Sequence, residues 1–204
     1  MFKTKIAALA FPALLLGSTA YATPPAADED HISFKMVVSK AASTCLPNAE
    51  AKVQIISDGT AEDMFLVASG LPPNTGFDFF VIQVPNAPFG LSWYQGDVQS
   101  DADGDAVQHF RGRFSIETFI VAPGVASAPL VFNDPPFPDA AKNPATNPVQ
   151  TYHLGMWFNS PADAQKAGCP NTVTPFNGEH NAGIQVLNTS TYRDDHGPLR
   201  NMRP

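Results

Sequence analysis

Ile32-Ser33-Phe34-Lys35-Met36-Val37-Val38 decides the fold class: Ile32, Phe34, Met36 and Val38 alternate with Ser33, Lys35 and Val37. A period of two places one set of side chains on a buried face and the other on solvent, which is the pattern of a half-buried strand. The same reading extends outward along the chain. Residues 53–56 form a second apolar run, and Ser57-Asp58-Gly59-Thr60 is a turn. Residues 64–68 give a third strand, and Gly70-Leu71-Pro72-Pro73-Asn74-Thr75-Gly76 is a connector whose two prolines exclude a ladder. Residues 77–84, 91–98, 107–110 and 114–121 follow as strands, with a tight turn over residues 100–104. Aromatic and β-branched side chains fill them, as a pleated surface favours.

Beyond this point the alternation stops. Residues 122–150 carry seven prolines, at 123, 129, 135, 136, 138, 144 and 148, and read as one long loop. It resumes over residues 152–158, with Tyr152, Leu154, Met156 and Phe158 on one face and His153, Gly155 and Trp157 on the other. One short helix follows: Ser160 is an N-cap, Pro161 suits the first helical position, Asp163 complements the helix dipole, and Gly168 ends the helix in the left-handed region. Ile184, Val186 and Asn188 close the sheet, and residues 191–204 read as a polar tail. With no βαβ rhythm, the fold class is all-β: an antiparallel, immunoglobulin-like β-sandwich with one short helix and a long Pro-rich loop. A small barrel is the alternative.

The first 22 residues read as a signal peptide. Lys3 and Lys5 make a positive start, residues 6–16 an apolar core, and Ala20-Tyr21-Ala22 a cleavage site. The apolar run is too short to span a bilayer, and no other candidate span occurs. Residues 23–190 then form the sandwich domain. Removing residues 1–22 takes two lysines from the 12 Lys and Arg while leaving all 19 Asp and Glu, so the mature charge is −9. That charge repels phosphate backbones and anionic lipid, which disfavours nucleic acid and membrane surfaces as partners. Export places Cys45 and Cys169, the only cysteines, in an oxidising space where a structural disulfide is expected.

Three stretches, Gly70-Leu71-Pro72-Pro73-Asn74-Thr75, Phe77-Asp78-Phe79-Phe80-Val81 and Asp101-Ala102-Asp103-Gly104, together resemble uncharacterised secreted bacterial proteins with an immunoglobulin-like β-sandwich domain. The likeness continues through Trp93-Tyr94-Gln95-Gly96-Asp97, through residues 112–118 and through residues 176–183. It implies a fold and a compartment, and no activity.

Candidate sites are few. Asp101, Asp103 and Asp105 alternate around Gly104 and could converge on calcium, but Ala106 and Gly112 stand where a calcium-binding helix-loop-helix needs Gly and Glu. A solvated turn explains the three acids equally well. Apart from calcium, no cofactor is implied. His31, His109, His153, His180 and His196 show no local metal-ligand spacing. His153 shares a face with Trp157, and Glu179-His180-Asn181 stands at the entry to the last strand, so His153, Trp157, Glu179, His180 and Asn181 form the candidate binding neighbourhood. Asp97 and Glu117 are a candidate acid/base pair. Trp93, Tyr94 and Trp157 are candidate stacking residues, although neighbours in a regular strand point to opposite faces. Motifs for nucleophilic serine, zinc hydrolase and phosphate-loop chemistry are absent.

The chain therefore reads as a secreted protein, extracellular or periplasmic, with a non-catalytic binding or envelope-associated role toward an unknown extracellular or envelope ligand. The alternative is a secreted hydrolytic or metal-dependent enzyme built around His153, Glu179 and His180.

Overall fold

The computed structural model of the chain describes residues 30–122, 147–176 and 180–204. Residues 1–29, with the expected signal peptide, residues 123–146 of the expected Pro-rich loop and residues 177–179, Glu179 among them, lie outside the described residues. Twelve strands are present among them: β1 His31–Val38, β2 Glu50–Ser57, β3 Glu62–Ser69, β4 Gly76–Ile82, β5 Ser92–Gln99, β6 Ala106–Gly112, β7 Phe119–Ala122, β8 Asn147–Gln150, β9 His153–Phe158, β10 Thr174–Pro175, β11 Asn181–Ala182 and β12 Gln185–Asn188. Eight of them form one antiparallel sheet in the order β5-β4-β9-β12-β1-β2-β3-β6, while β7 pairs β8 and β10 pairs β11.

The all-β, antiparallel class is the expected one, and the alternation explains how it closes. Phe34 and Met36 of β1, Val53 and Ile55 of β2, Met64 and Leu66 of β3, Phe77, Phe79 and Val81 of β4 and Leu154, Met156 and Phe158 of β9 share one buried core. A flat sheet of eight strands would leave that face wet. It rolls instead, so that both facing layers belong to one continuous sheet. Phe110, on the β6 edge, stacks on Phe79 of β4 with ring centroids 5.2 Å apart. Edge strands β5 and β6 then lie against each other without a ladder.

Two connections hold the roll. The turn at Asp101 and the Gly70-Leu71-Pro72-Pro73 connector dock on one another: the Leu71 amide donates to the Gly104 carbonyl at 3.0 Å and the Asn74 amide to the Asp101 carbonyl at 2.9 Å. Gly104 has φ 82°, and a Cβ there would collide with the Leu71 carbonyl oxygen, so glycine is required on both counts. The second connection is the helix α1, Pro161–Lys166. The Ser160 hydroxyl accepts from the Asp163 amide, and Gly168 turns at φ 75° to deliver Cys169. Cys169 forms a disulfide with Cys45, with Cα atoms 5.3 Å apart across 124 positions of sequence.

Three readings need correction. The expected strand over residues 114–121 is a strand only from Phe119. Residues 115–118 instead form a turn, where the Ser115 carbonyl accepts from the Thr118 amide at 2.9 Å. Residues 147–150, expected as the end of the long loop, instead form β8 and pair with β7, Val149 standing opposite Ile120. Residues 191–204 are not simply a polar tail: Leu199 and Met202 are fully buried in the core, and the Leu199 amide donates to the Tyr152 carbonyl at 3.2 Å. Two isolated apolar residues among polar ones give no periodic signal, yet they suffice to anchor a 3-10 turn at Pro198–Asn201.

Candidate functional site

The outward face of β4, β5 and β9 carries the site. On β4, Phe77, Phe79 and Val81 point into the core, so Asp78, Phe80 and Ile82 point out. Asp78 stands opposite Asp97 of β5 on one side and Trp157 of β9 on the other, while Phe80 stands opposite Tyr94 and Gly155. The β4–β5 register shifts between Phe79 and Phe80, and Gln95 is the extra residue. This bulge matters because Tyr94 and Asp97, three positions apart, would face opposite ways in a regular strand. With the bulge both face outward, and the Tyr94 hydroxyl donates to Asp97 Oδ1 at 2.6 Å. Trp93 packs on the core side, as adjacency to Tyr94 requires.

Over this face lies a cleft of about 610 Å³. Phe80 and Trp157 make its floor, Phe89 one wall and Phe176 the other. Their rings interlock edge to face: Phe80 with Trp157 at 5.2 Å, Phe80 with Phe176 at 5.3 Å and Phe89 with Trp157 at 4.9 Å. Tyr94 joins through Phe176 at 5.1 Å. Such contacts fix ring positions beyond what area burial alone would do. Phe89 is held by residues 83–91, whose Pro85 carbonyl accepts from the buried side-chain amides of Gln185 at 3.2 Å and Asn188 at 3.1 Å.

Trp157 can lie on the floor only because residue 155 has no side chain. A Cβ at Gly155 would run into the six-membered ring of Trp157 and stand 2.9 Å from Gln185 Nε2. Gly155→Ala is expected to lift the indole, lower stability by about 1 to 3 kcal/mol as overpacking does, and shift the tryptophan emission. A melting curve with the emission spectrum of the variant checks it, and an unchanged spectrum would contradict the placement of the ring.

The acidic end of the site lies beside Phe80. Asp78 is fully buried, and neither carboxylate oxygen has a hydrogen-bond partner among the described residues. His180 Nε2 stands 3.7 Å from its Oδ2, and the His180 ring packs on Phe176 at 4.5 Å. Burial pushes the Asp78 carboxyl up to about 6, the nearby His180 opposes the rise and the Asp97 charge adds to it. Burial, followed by the bond to Asp97, also raises the Tyr94 hydroxyl. Buried Trp157 Nε1 is a donor with no partner among the described residues. Orphaned polar groups of this kind are uncommon in a settled interior. One buried carboxyl that gives up its proton only near pH 6, an exposed acid beside it and a wall of rings can bind a charged or ring-bearing molecule.

The expected neighbourhood is thus divided. Trp157 and His180 belong to the cleft and its acidic end. Asn181 begins β11 on an exposed edge. His153 is elsewhere, opposite Ile82, and four residues along β4 from Asp78 correspond to ~13 Å. It is buried with Nδ1 2.9 Å from Thr189 Oγ1 and Nε2 donating to the carbonyls of Arg193 at 3.1 Å and Asp194 at 3.2 Å. Burial lowers its affinity for a proton, and these bonds leave it a structural role. Asp97 finds Asp78, not Glu117, which is exposed in the 115–118 turn. Asp101, Asp103 and Asp105 do not gather: Asp101 Oδ1 accepts from the amides of Asp103 and Asp105, both at 2.9 Å, and no group of three ligating side chains that could hold a metal occurs among the described residues. No helix among the described residues is long and apolar enough to cross a membrane.

Sequence reasoning passed over Asp78, Phe80, Phe89 and Phe176. A signal for the first was present: Asp78 is the one charged residue in Gly76–Ile82, a strand otherwise apolar. No protein-family model matches the chain, and no curated protein is detectably similar to it.

Proposed function

We propose that this is a secreted, non-catalytic binding protein whose aromatic cleft takes a small ring-bearing molecule of largely apolar surface. The observation that carries the reading is the interlocked floor and walls of Phe80, Phe89, Trp157 and Phe176 around about 610 Å³. That volume lies in the range of small-molecule sites, which are typically apolar with a few placed polar groups. Secretion is supported by the disulfide and by the leader-like start of the sequence. Kinship with secreted bacterial sandwich proteins is part of the same proposal, supported by the sequence stretches Gly70-Leu71-Pro72-Pro73-Asn74-Thr75 and Asp101-Ala102-Asp103-Gly104. Binding is favoured over turnover because Asp78, the side chain best tuned to move a proton, is sealed from solvent.

Titration with tert-butylbenzene, followed by tryptophan emission, tests the cleft. A saturable change is expected, weakened about five- to thirtyfold in Phe89→Ala, since an aromatic wall is worth on the order of 1 to 2 kcal/mol. An absent response, or one indifferent to Phe89→Ala, would overturn the reading.

A further inference from the structure

The cleft has neutral walls, but its surroundings are one-sided in charge. From Val53 to Phe110 the chain holds no lysine or arginine, and β4, β5, β9, β10 and β11 lie within or beside the cleft with none of either. At one end two aspartates stand directly opposite each other across the β4–β5 ladder. Like charges in direct cross-strand register are destabilising, and such a pair persists where something offsets it. His180 reaches one of the two carboxylates. Asp97 is exposed, held in place by Tyr94, and only two positions from the Phe80–Tyr94 pair, which corresponds to ~7 Å along the strand.

We infer that the molecule taken by the cleft is an organic cation, its ring or alkyl body among Phe80, Phe89, Trp157 and Phe176 and its ammonium group beside Asp97 and Tyr94. The inference rests on the cleft being a binding site, and names the ligand's chemical class. Three physical features converge on it. Aromatic faces attract a desolvated cation through their quadrupoles, most strongly at tryptophan. Asp97, just outside the cleft's lining beyond the Phe80–Tyr94 pair, supplies an exposed counter-charge oriented by the Tyr94 hydroxyl. Asp78, buried behind it with neither oxygen hydrogen-bonded among the described residues, adds negative potential that water does not screen. An anion of the same shape meets two aspartates and, among the described residues of β4, β5, β9, β10 and β11 and the cleft's lining, no lysine or arginine, with His180 the one basic group beside them. A sugar would find few groups to bond, because the described side chains that line the cleft offer only Ser92, Thr174 and the Trp157 indole as polar groups.

The test compares two molecules of the same shape on the full protein at pH 8: phenyltrimethylammonium and tert-butylbenzene. The cation is expected to bind at least about tenfold more tightly, and Asp97→Asn to reduce that ratio to within about twofold. Phenyltrimethylammonium binding should also weaken in Asp78→Asn, a substitution that changes no exposed atom. Equal affinity for the two molecules, or a ratio that survives Asp97→Asn, would overturn the cation while leaving the cleft. If neither molecule binds, both the cleft and its ligand class fail together. Circular dichroism of each variant separates lost binding from lost fold.

Discussion

Cys45→Ala with Cys169→Ala is expected to lower the unfolding free energy by about 5 kcal/mol and the melting temperature by about 10 to 15 °C. The bond spans 124 positions, so in the unfolded chain it closes a loop that contains most of the domain. The entropy that this loop removes from the unfolded ensemble grows with the logarithm of its length, and at this separation reaches the upper part of the usual range. Geometry on the native side adds to the effect. Cys169 is nearly buried and is presented by the short helix α1, whose Ala164 packs into the core. Alanine is preferred to serine because a hydroxyl at position 169 would be buried. Urea titration of the oxidised protein, the reduced protein and the double variant measures the effect. Agreement between the last two, both far below the first, is the expected result; a difference under about 1 kcal/mol between oxidised and reduced protein would show that packing alone holds the domain.

The second large effect is expected at Asp78. Burial raises its carboxyl from 3.8 to about 6, with Asp97 and Tyr94 of β5 and His180 beside β11 facing it and with uncharged Trp157 on the β9 side. The native state therefore holds this proton more tightly than the unfolded chain. Below about pH 4 both states are protonated and the residue costs no ionisation. As pH rises from about 4 through about 6 the unfolded chain ionises first, and native stability is lost. Above that window the full cost remains, about 2 to 3 kcal/mol from the size of the rise. Asp78→Asn keeps the shape and removes the charge. It should raise the unfolding free energy by about that amount at pH 8 and leave it nearly unchanged at pH 3.5. Urea titrations at both pH values decide the matter, and an offset equal at the two would refute the burial argument. A protein that retains an avoidable cost at a strand centre usually does so for its ligand, and stability recovered at such a place comes with lost function. The Asp78→Asn variant is thus expected to be firmer and to bind the cation less well.

How much of this was legible in the sequence differs between fold and site. The strands were readable because burial of one face imposes a period of two, and Ile32 to Val38 or Tyr152 to Phe158 states that period directly. The helix was readable from Ser160, Pro161, Asp163 and Gly168, since capping is a matter of residues three or four apart. The site was less so. Tyr94 and Asp97 have the wrong spacing to share a face until a bulge at Gln95 shifts the register, and a bulge leaves no mark in hydrophobic alternation. Asp97 and Glu117 looked as suitable a pair as any, because a sandwich can bring acids on neighbouring strands within reach of one another. Their separation depends on which strands become neighbours. His153 and His180 looked alike for the same reason, yet one is bonded to backbone carbonyls at one end of β9 and the other faces a buried carboxylate toward the opposite end.

By itself, then, the amino-acid order determined most strands of the main sheet and the one short helix, the inward and outward sides of strands without a bulge, and a single choice of cysteine partner, because these follow from interactions between near neighbours or from the count of residues available. Only the tertiary structure decided that the sheet rolls into one continuous enclosure, that Asp78 meets Asp97, and that rings from residues 80, 89, 157 and 176 close around one cleft. Strand order and register are set by the summed burial of the whole core, and no local stretch of chain carries that sum.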